Sequence, residues 1–317
     1  MKVLTIGEIL VEMMRSNLNI PLNERGEFKG PYPSGAPAIF IYQLASLGQE
    51  TGIFSKIGED AFGKNCTEHL VKKGVDLTGV KVSQVPTGVA FVTYYSDGSR
   101  DFLYHIGNAA CGQLKEEDIS KELINEYDWL HLNGSSLCIN KEVRDVSIKV
   151  AKIIKSNGGV ISFDPNIRPE LISQSEIQEI ATNILPLCDY VMPSEGEELI
   201  ITGANNRDEA IRTLFESGIK KVFLKLGNAG SRVYSRHYSF YEPTYLIKEV
   251  DPTGAGDSYC AGVVYGLIKG WEDSQILRFA NGLGAIAASH FGPMESEVDE
   301  RKVMDFIQNT LSQIKKH

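Results

Sequence analysis

The chain is poor in cysteine, in positive charge and in long apolar runs. Its five cysteines are Cys66, Cys111, Cys138, Cys188 and Cys260. None forms a C-x-x-C pair, which excludes a disulfide framework and a paired-cysteine zinc or redox site. Reduced, buried thiols in a cytoplasmic protein are expected. Lys and Arg total 32 against 41 Asp and Glu, for a net charge of −9. That balance argues against non-specific binding to nucleic acid or anionic lipid, but leaves room for an anionic small substrate in a locally positive site. No apolar run approaches the ~18 residues that span a membrane. The opening MKVLTIGEIL lacks a cleavable signal pattern, because Glu8 and Glu12 arrive early. No G-x-x-x-x-G-K-[ST] occurs, no G-x-G-x-x-G follows a strand, and no H-E-x-x-H or Cys/His cluster is present.

What remains is an ordinary globular composition, 42% apolar and 23% charged over 317 residues. The length fits two domains or one large α/β domain with an appendage. Short apolar runs at Val3–Ile6, Ile53–Lys56, Trp129–Leu132, Val160–Phe163, Tyr190–Met192 and Val222–Leu226 lack alternation. Parallel strands covered on both faces read this way. Between them, helices are expected from an Asp60 cap to Lys73, and over Lys141–Ser156, Asp273–Ser289 and Glu300–Ile314. This rhythm predicts a mostly parallel central sheet flanked by helices. One stretch departs from it. TGVAFVTYY from Thr87, an Asp97-Gly98 turn and Arg100–Tyr104 read as a hairpin. With Leu10–Met14 and Phe28–Tyr32 it predicts a small antiparallel sheet inserted as a lid, built from about 10–33 and 87–105 within one domain of residues 1–317.

The strand ends are rich in polar residues and glycine: Gly7-Glu8, Asn133-Gly134, Asp164-x-Asn166-x-Arg168, Ser194-Glu195 and Lys225-x-Gly227. Ligands of open α/β sheets bind beyond such ends. The densest signal is Asp251-Pro252-Thr253-Gly254-Ala255-Gly256-Asp257 before a helical run. The bare Gly254–Gly256 amides at a helix start suit a phosphoryl group, and Asp257 could accept a hydroxyl proton. The same residues also fit a glycine turn with Asp257 as a helix cap.

Taken together these motifs resemble the PfkB-type, ribokinase-like carbohydrate kinases over nearly the whole chain. The motifs are Gly7-Glu8, Ser34-Gly35-Ala36-Pro37-Ala38, Ile57-Gly58-Glu59-Asp60 with Gly63, Asp164-x-Asn166-x-Arg168, Ser194-x-x-Glu197, Lys225-x-Gly227-x-x-Gly230 and the Asp251–Asp257 run. The likeness is greatest to tagatose- and fructokinase-like and 2-keto-3-deoxygluconate kinase-like members. It implies a three-layer α/β fold and transfer of the ATP γ-phosphoryl group to a ketohexose or keto-sugar acid. Asp257 would be the general base, in an ionised form favoured by the helix start, and Gly254, Ala255 and Gly256 the anion hole. Glu12, Gly35, Tyr104, Asn108, Arg168 and Asp257 would face the acceptor. Asn166, Ser194, Glu197, Lys225, Gly227, Gly230, Gly254, Gly256 and Asn281 would face ATP. Glu197 would organise Mg²⁺ through water, and Asp251 and Thr253 match positions that hold K⁺. A homodimer through the β lid is also implied. Two departures stand out: Ser34 and Ile39 occupy the ends of the family's Gly-Gly-x-x-x-Asn, and Glu12 replaces a shorter Asp. The first alone leaves open a non-catalytic sugar sensor, and Tyr94, Phe102 and Tyr104 leave open a nucleoside kinase with an aromatic platform.

Overall fold

The structure is a computed structural model that describes residues 1–168 and 171–314. Its strands are Val3–Ile6 (β1), Leu10–Arg15 (β2), Phe28–Ser34 (β3), Thr51–Gly58 (β4), Val80–Ser83 (β5), Gly88–Tyr94 (β6) and Arg100–His105 (β7). They continue with Trp129–Asn133 (β8), Val160–Asp164 (β9), Tyr190–Val191 (β10), Lys221–Lys225 (β11), Ser231–Tyr234 (β12) and Ser239–Glu242 (β13). Nine form one sheet in the order β13-β12-β11-β10-β9-β8-β1-β4-β5. From β11 to β5 every pairing is parallel. β12 and β13 add an antiparallel edge that the strand rhythm did not predict. β1 and β8 are buried at every residue, which explains their continuous apolar character.

Helices cover both faces. One core packs Ala36–Ser46, Ala255–Ile268 and Asp273–Ala288 against the sheet; the other packs Lys141–Ser156, Gln174–Ile184 and Arg207–Glu216. The expected stripe Val143, Val146, Val150 and Ile154 is the buried face of its helix, and Asn140 caps it by accepting from the Val143 amide at 2.9 Å. Asp60 caps Ala61–Lys72 through the amides of Phe62 and Gly63. The same carboxylate accepts from the Thr87 amide and hydroxyl, which ties the foot of β6 to the main body. All five cysteines are free and buried.

The remaining strands form a second sheet, β3-β2-β6-β7. It was expected to be antiparallel, and its central pair β2–β6 is parallel. β2 follows β1 and β6 follows β5, and those parent strands run in the same direction. The outer pairs β2–β3 and β6–β7 are antiparallel.

Candidate active site

The carboxyl ends of β1, β8, β9 and β11, the start of Ala255–Ile268 and the inner face of the small sheet enclose one cleft of about 530 Å³. Along β7 side chains alternate half-buried and exposed, so Arg100, Phe102 and Tyr104 line the cleft while Asp101, Leu103 and His105 point out. Arg100 escaped the sequence reading, although this two-residue period was visible in it.

Asp257 sits in the first turn of its helix, buried at the cleft floor. Its Oδ1 accepts from the carboxamides of Asn133 (3.4 Å) and Asn166 (3.5 Å), while Oδ2 accepts no hydrogen bond among the described residues. Asn133 is itself fixed: its Oδ1 accepts from the Ser135 hydroxyl at 2.8 Å, which also lies 2.6 Å from Glu8 Oε1. Burial, with Asp164 adding to it, raises the Asp257 carboxyl to about 7, against Lys225 and Arg168, which lower it. Burial thus opposes the ionised form that the helix start was expected to favour.

Next to Asp257 lies a buried ion pair. Lys225 Nζ donates to Asp164 Oδ2 at 2.6 Å, and the Cys260 thiol donates to the same oxygen at 3.2 Å. Burial, the largest single effect, would lower the Lys225 ammonium, but Asp164, Cys260 and Glu197 together outweigh it and raise it. Glu197 accepts from the amides of Ile167 and Ser194, both at 2.7 Å, so it clamps the loops after β9 and β10 together. Burial, reinforced by Asp164, raises its carboxyl.

Glycines open the loop before the Ala255–Ile268 helix. Gly254 has φ 78°, and a Cβ there would stand 2.8 Å from the Pro293 carbonyl. A Cβ on Gly256 would meet nothing closer than Lys225 Nζ at 3.8 Å, so a side chain would project into the cleft. The departing residues have local reasons. Ser34 donates to Glu12 Oε2 at 2.9 Å and holds that buried carboxylate. Ile39 packs where a Gly254 side chain would go. Burial raises the Glu12 carboxyl to about 7.

With this geometry in place, comparison with known proteins is decisive. The profile of the pfkB family carbohydrate kinase matches residues 2–300. The chain belongs to the PfkB family of carbohydrate kinases. As such it is a phosphotransferase. Fructokinase-1 of Zea mays is 30% identical over 318 residues, covering 96% of this chain and 97% of its own. A protein of E. coli provisionally termed ribokinase II, solved with ATP and Mg²⁺, is 41% identical with a TM-score of 0.91, over 97% of this chain and 99% of its own. A fructokinase double mutant of Vibrio cholerae, solved with fructose, ADP and potassium, is 25% identical with a TM-score of 0.82, over 96% of this chain and 98% of its own.

Within this PfkB chain, Glu12, Gly35, Tyr104, Asn166, Arg168, Ser194, Lys225, Gly227, Thr253, Gly254, Gly256 and Asp257 share the cleft. Several expected ligands stand elsewhere. Asn108 lies in an exposed turn and does not line the cleft. Asn281 turns inward: it accepts from Ser231 at 2.8 Å and donates to the carbonyls of Glu242 and Pro243. Its amide braces the β12–β13 edge. Gly230 is required by a turn, since a Cβ would meet the Glu242 carbonyl at 2.3 Å.

The metal expectations can be tested against these residues. Among the described residues no cluster of three or more acidic, His or Cys groups could hold an ion. Both Glu197 oxygens are spent on amides. This suits Mg²⁺, which keeps waters and substrate phosphates as ligands. Asp251 is 1% exposed, accepts only from neutral donors and has no ion-pair partner among the described residues. A buried carboxylate without a counter-charge fits a monovalent cation nearby.

Proposed function

We propose that this chain transfers the γ-phosphoryl group of ATP to a hydroxyl of a keto-sugar acid, in preference to a neutral ketohexose. Asp257 takes the hydroxyl proton as that oxygen bonds to phosphorus and the bond to ADP breaks. Asn133 and Asn166 hold Oδ1, so Oδ2 is the atom available to the proton. The amides of Gly254, Ala255 and Gly256 receive the charge of the transferring group. Lys225, Asn166, Ser194, Gly227 and the clamped Glu197 border the triphosphate. Mg²⁺, when bound, supplies neutralisation of phosphate charge, and Asp251 with Thr253 would hold K⁺ beside the loop.

The observation that carries the acceptor class is a pair of guanidiniums. Arg100 and Arg168 approach the Phe102 ring at 5.6 and 6.0 Å, and neither has an ion-pair partner among the described residues. Asp257 and Glu12 lie near them without forming an ion pair, so an acceptor carboxylate could take the direct contact. The nucleoside reading loses ground for the same reason: Phe102 is stacked on Tyr104 at 5.5 Å and flanked by guanidiniums, so a base finds its faces taken. The intact Asp257 and its glycine loop likewise disfavour a non-catalytic sensor. The outward face of the small sheet, where Leu103 is 46% exposed, supports pairing with a second copy.

The test is ADP release with Mg-ATP and 2-keto-3-deoxygluconate, fructose, tagatose or uridine. The sugar acid should exceed fructose in kcat/KM by about 10-fold or more, the worth of a charge-assisted contact, and Arg168→Gln should erase the difference. Preference for fructose, unchanged in Arg168→Gln, would move the acceptor to a neutral ketose. Turnover of uridine alone would restore the nucleoside reading.

A further inference from the structure

We propose that Tyr94 is a positioning residue that fastens the small sheet to the anion-binding loop. Tyr94 ends β6, at the base of the hairpin turn. Its hydroxyl donates to Asp251 Oδ1 at 3.1 Å and lies 3.3 Å from Thr253 Oγ1. Arg100, across the hairpin, reaches the same threonine oxygen at 3.5 Å. These contacts span more than 150 residues of sequence and end on Asp251 and on Thr253, the residue before Gly254.

The loop needs such an anchor. Residues 251–254 precede the helix and belong to no regular element, so side-chain bonds decide their shape. Asp251 organises them: Oδ1 also accepts from the Thr253 amide at 3.0 Å, and Oδ2 from the Gly292 amide at 2.9 Å. Two of its three donors are thus backbone groups of the main body. The third comes from the small sheet.

The consequence is a mechanical link between the wall of the acceptor pocket and the amides that receive the phosphoryl charge. An interaction that shapes the anion hole acts on the transition state more than on nucleotide binding. Tyr94 should therefore influence kcat and leave ATP affinity nearly alone. The kinetic part rests on the kinase reading above; the structural part does not.

The experiment replaces Tyr94→Phe and follows amide hydrogen exchange of residues 251–257 in the free enzyme, alongside kcat with 2-keto-3-deoxygluconate and ATP affinity. Tyr95→Phe is the control, because that neighbouring hydroxyl binds exposed Asp101 at 2.6 Å on the outer side. In Tyr94→Phe, exchange in the loop should quicken about 10-fold, as loss of a bond to a charged group implies. Turnover should fall by about 10-fold, with ATP affinity within about 2-fold and the melting transition cooperative. Tyr95→Phe should change none of these. A folded Tyr94→Phe enzyme with unchanged loop exchange and unchanged kcat overturns the inference. If the wild-type enzyme turns over no sugar acid, the acceptor assignment fails, and the exchange measurement still decides the role of Tyr94.

Discussion

Replacing Lys225→Met takes the cation from a buried pair whose side chains are 12% and 1% exposed. Removing one partner of such a pair leaves an uncompensated charge, at a cost of about 3–5 kcal/mol. Asp164 keeps bonds from Cys260 and the Asn166 amide, which places the loss at the lower end. Adding Asp164→Asn should restore most of it, because the carboxylate that Lys225 paired with is then neutral as well. The same two changes act on Asp257 in opposite directions. Lys225 lowers its carboxyl and Asp164 raises it. The wild-type enzyme should gain turnover as pH rises through about 7, where the base loses its proton. In Lys225→Met that limb should move to higher pH, and in Asp164→Asn to lower pH, each by about one unit. The double variant should return toward wild type. Urea denaturation gives the stability part, and kcat against pH at saturating substrates gives the rest. Shifts of the same sign in the two single variants, or an unmoved limb in both, would refute the reasoning.

Three further outcomes follow from the same geometry. A carboxyl raised in the folded state holds its proton there more tightly than in the unfolded chain, so its contribution to stability is lost as pH rises through the folded value. For Asp257, between 3.8 and about 7, this amounts to about 4 kcal/mol at most; Asp257→Asn should flatten that part of a urea-midpoint profile measured between about pH 4 and 8, and an unaltered slope would contradict it. Glu12→Gln should raise the KM for the acceptor about 10-fold and spare kcat, and a kcat lost by orders of magnitude at constant KM would make Glu12 the base instead. Turnover should require Mg²⁺ and rise in potassium over sodium or tetramethylammonium; equal rates in the three would dispose of the cation at Asp251 and leave the Mg²⁺ requirement standing.

The parallel core and the glycine loop at the start of the Ala255–Ile268 helix were legible in the sequence because both are local patterns. Buried strands show as apolar runs, caps such as Asp60 show beside their helices, and Asp251–Asp257 is contiguous. Features fixed by distant partners were not legible. The parallel seam β2–β6 depends on the direction of strands in the other sheet. The Glu8–Ser135–Asn133–Asp257 network joins residues more than 120 apart. Asn281 turned inward because the β12–β13 edge, absent from the sequence reading, offered its carbonyls. The state of Asp257 depended on burial, which opposes the helix start that a linear reading sees. Arg100 was missed although its alternation with Phe102 and Tyr104 could have revealed it.

The central claim is that Asp257 is the base. Asp257→Asn keeps the shape and the Oδ1 contacts while removing proton acceptance. Single-turnover phosphoryl transfer to 2-keto-3-deoxygluconate, measured beside ATP affinity and melting temperature, should fall at least about 100-fold with the other two near wild type. A folded, ATP-binding Asp257→Asn enzyme that still transfers at the wild-type rate would contradict the account.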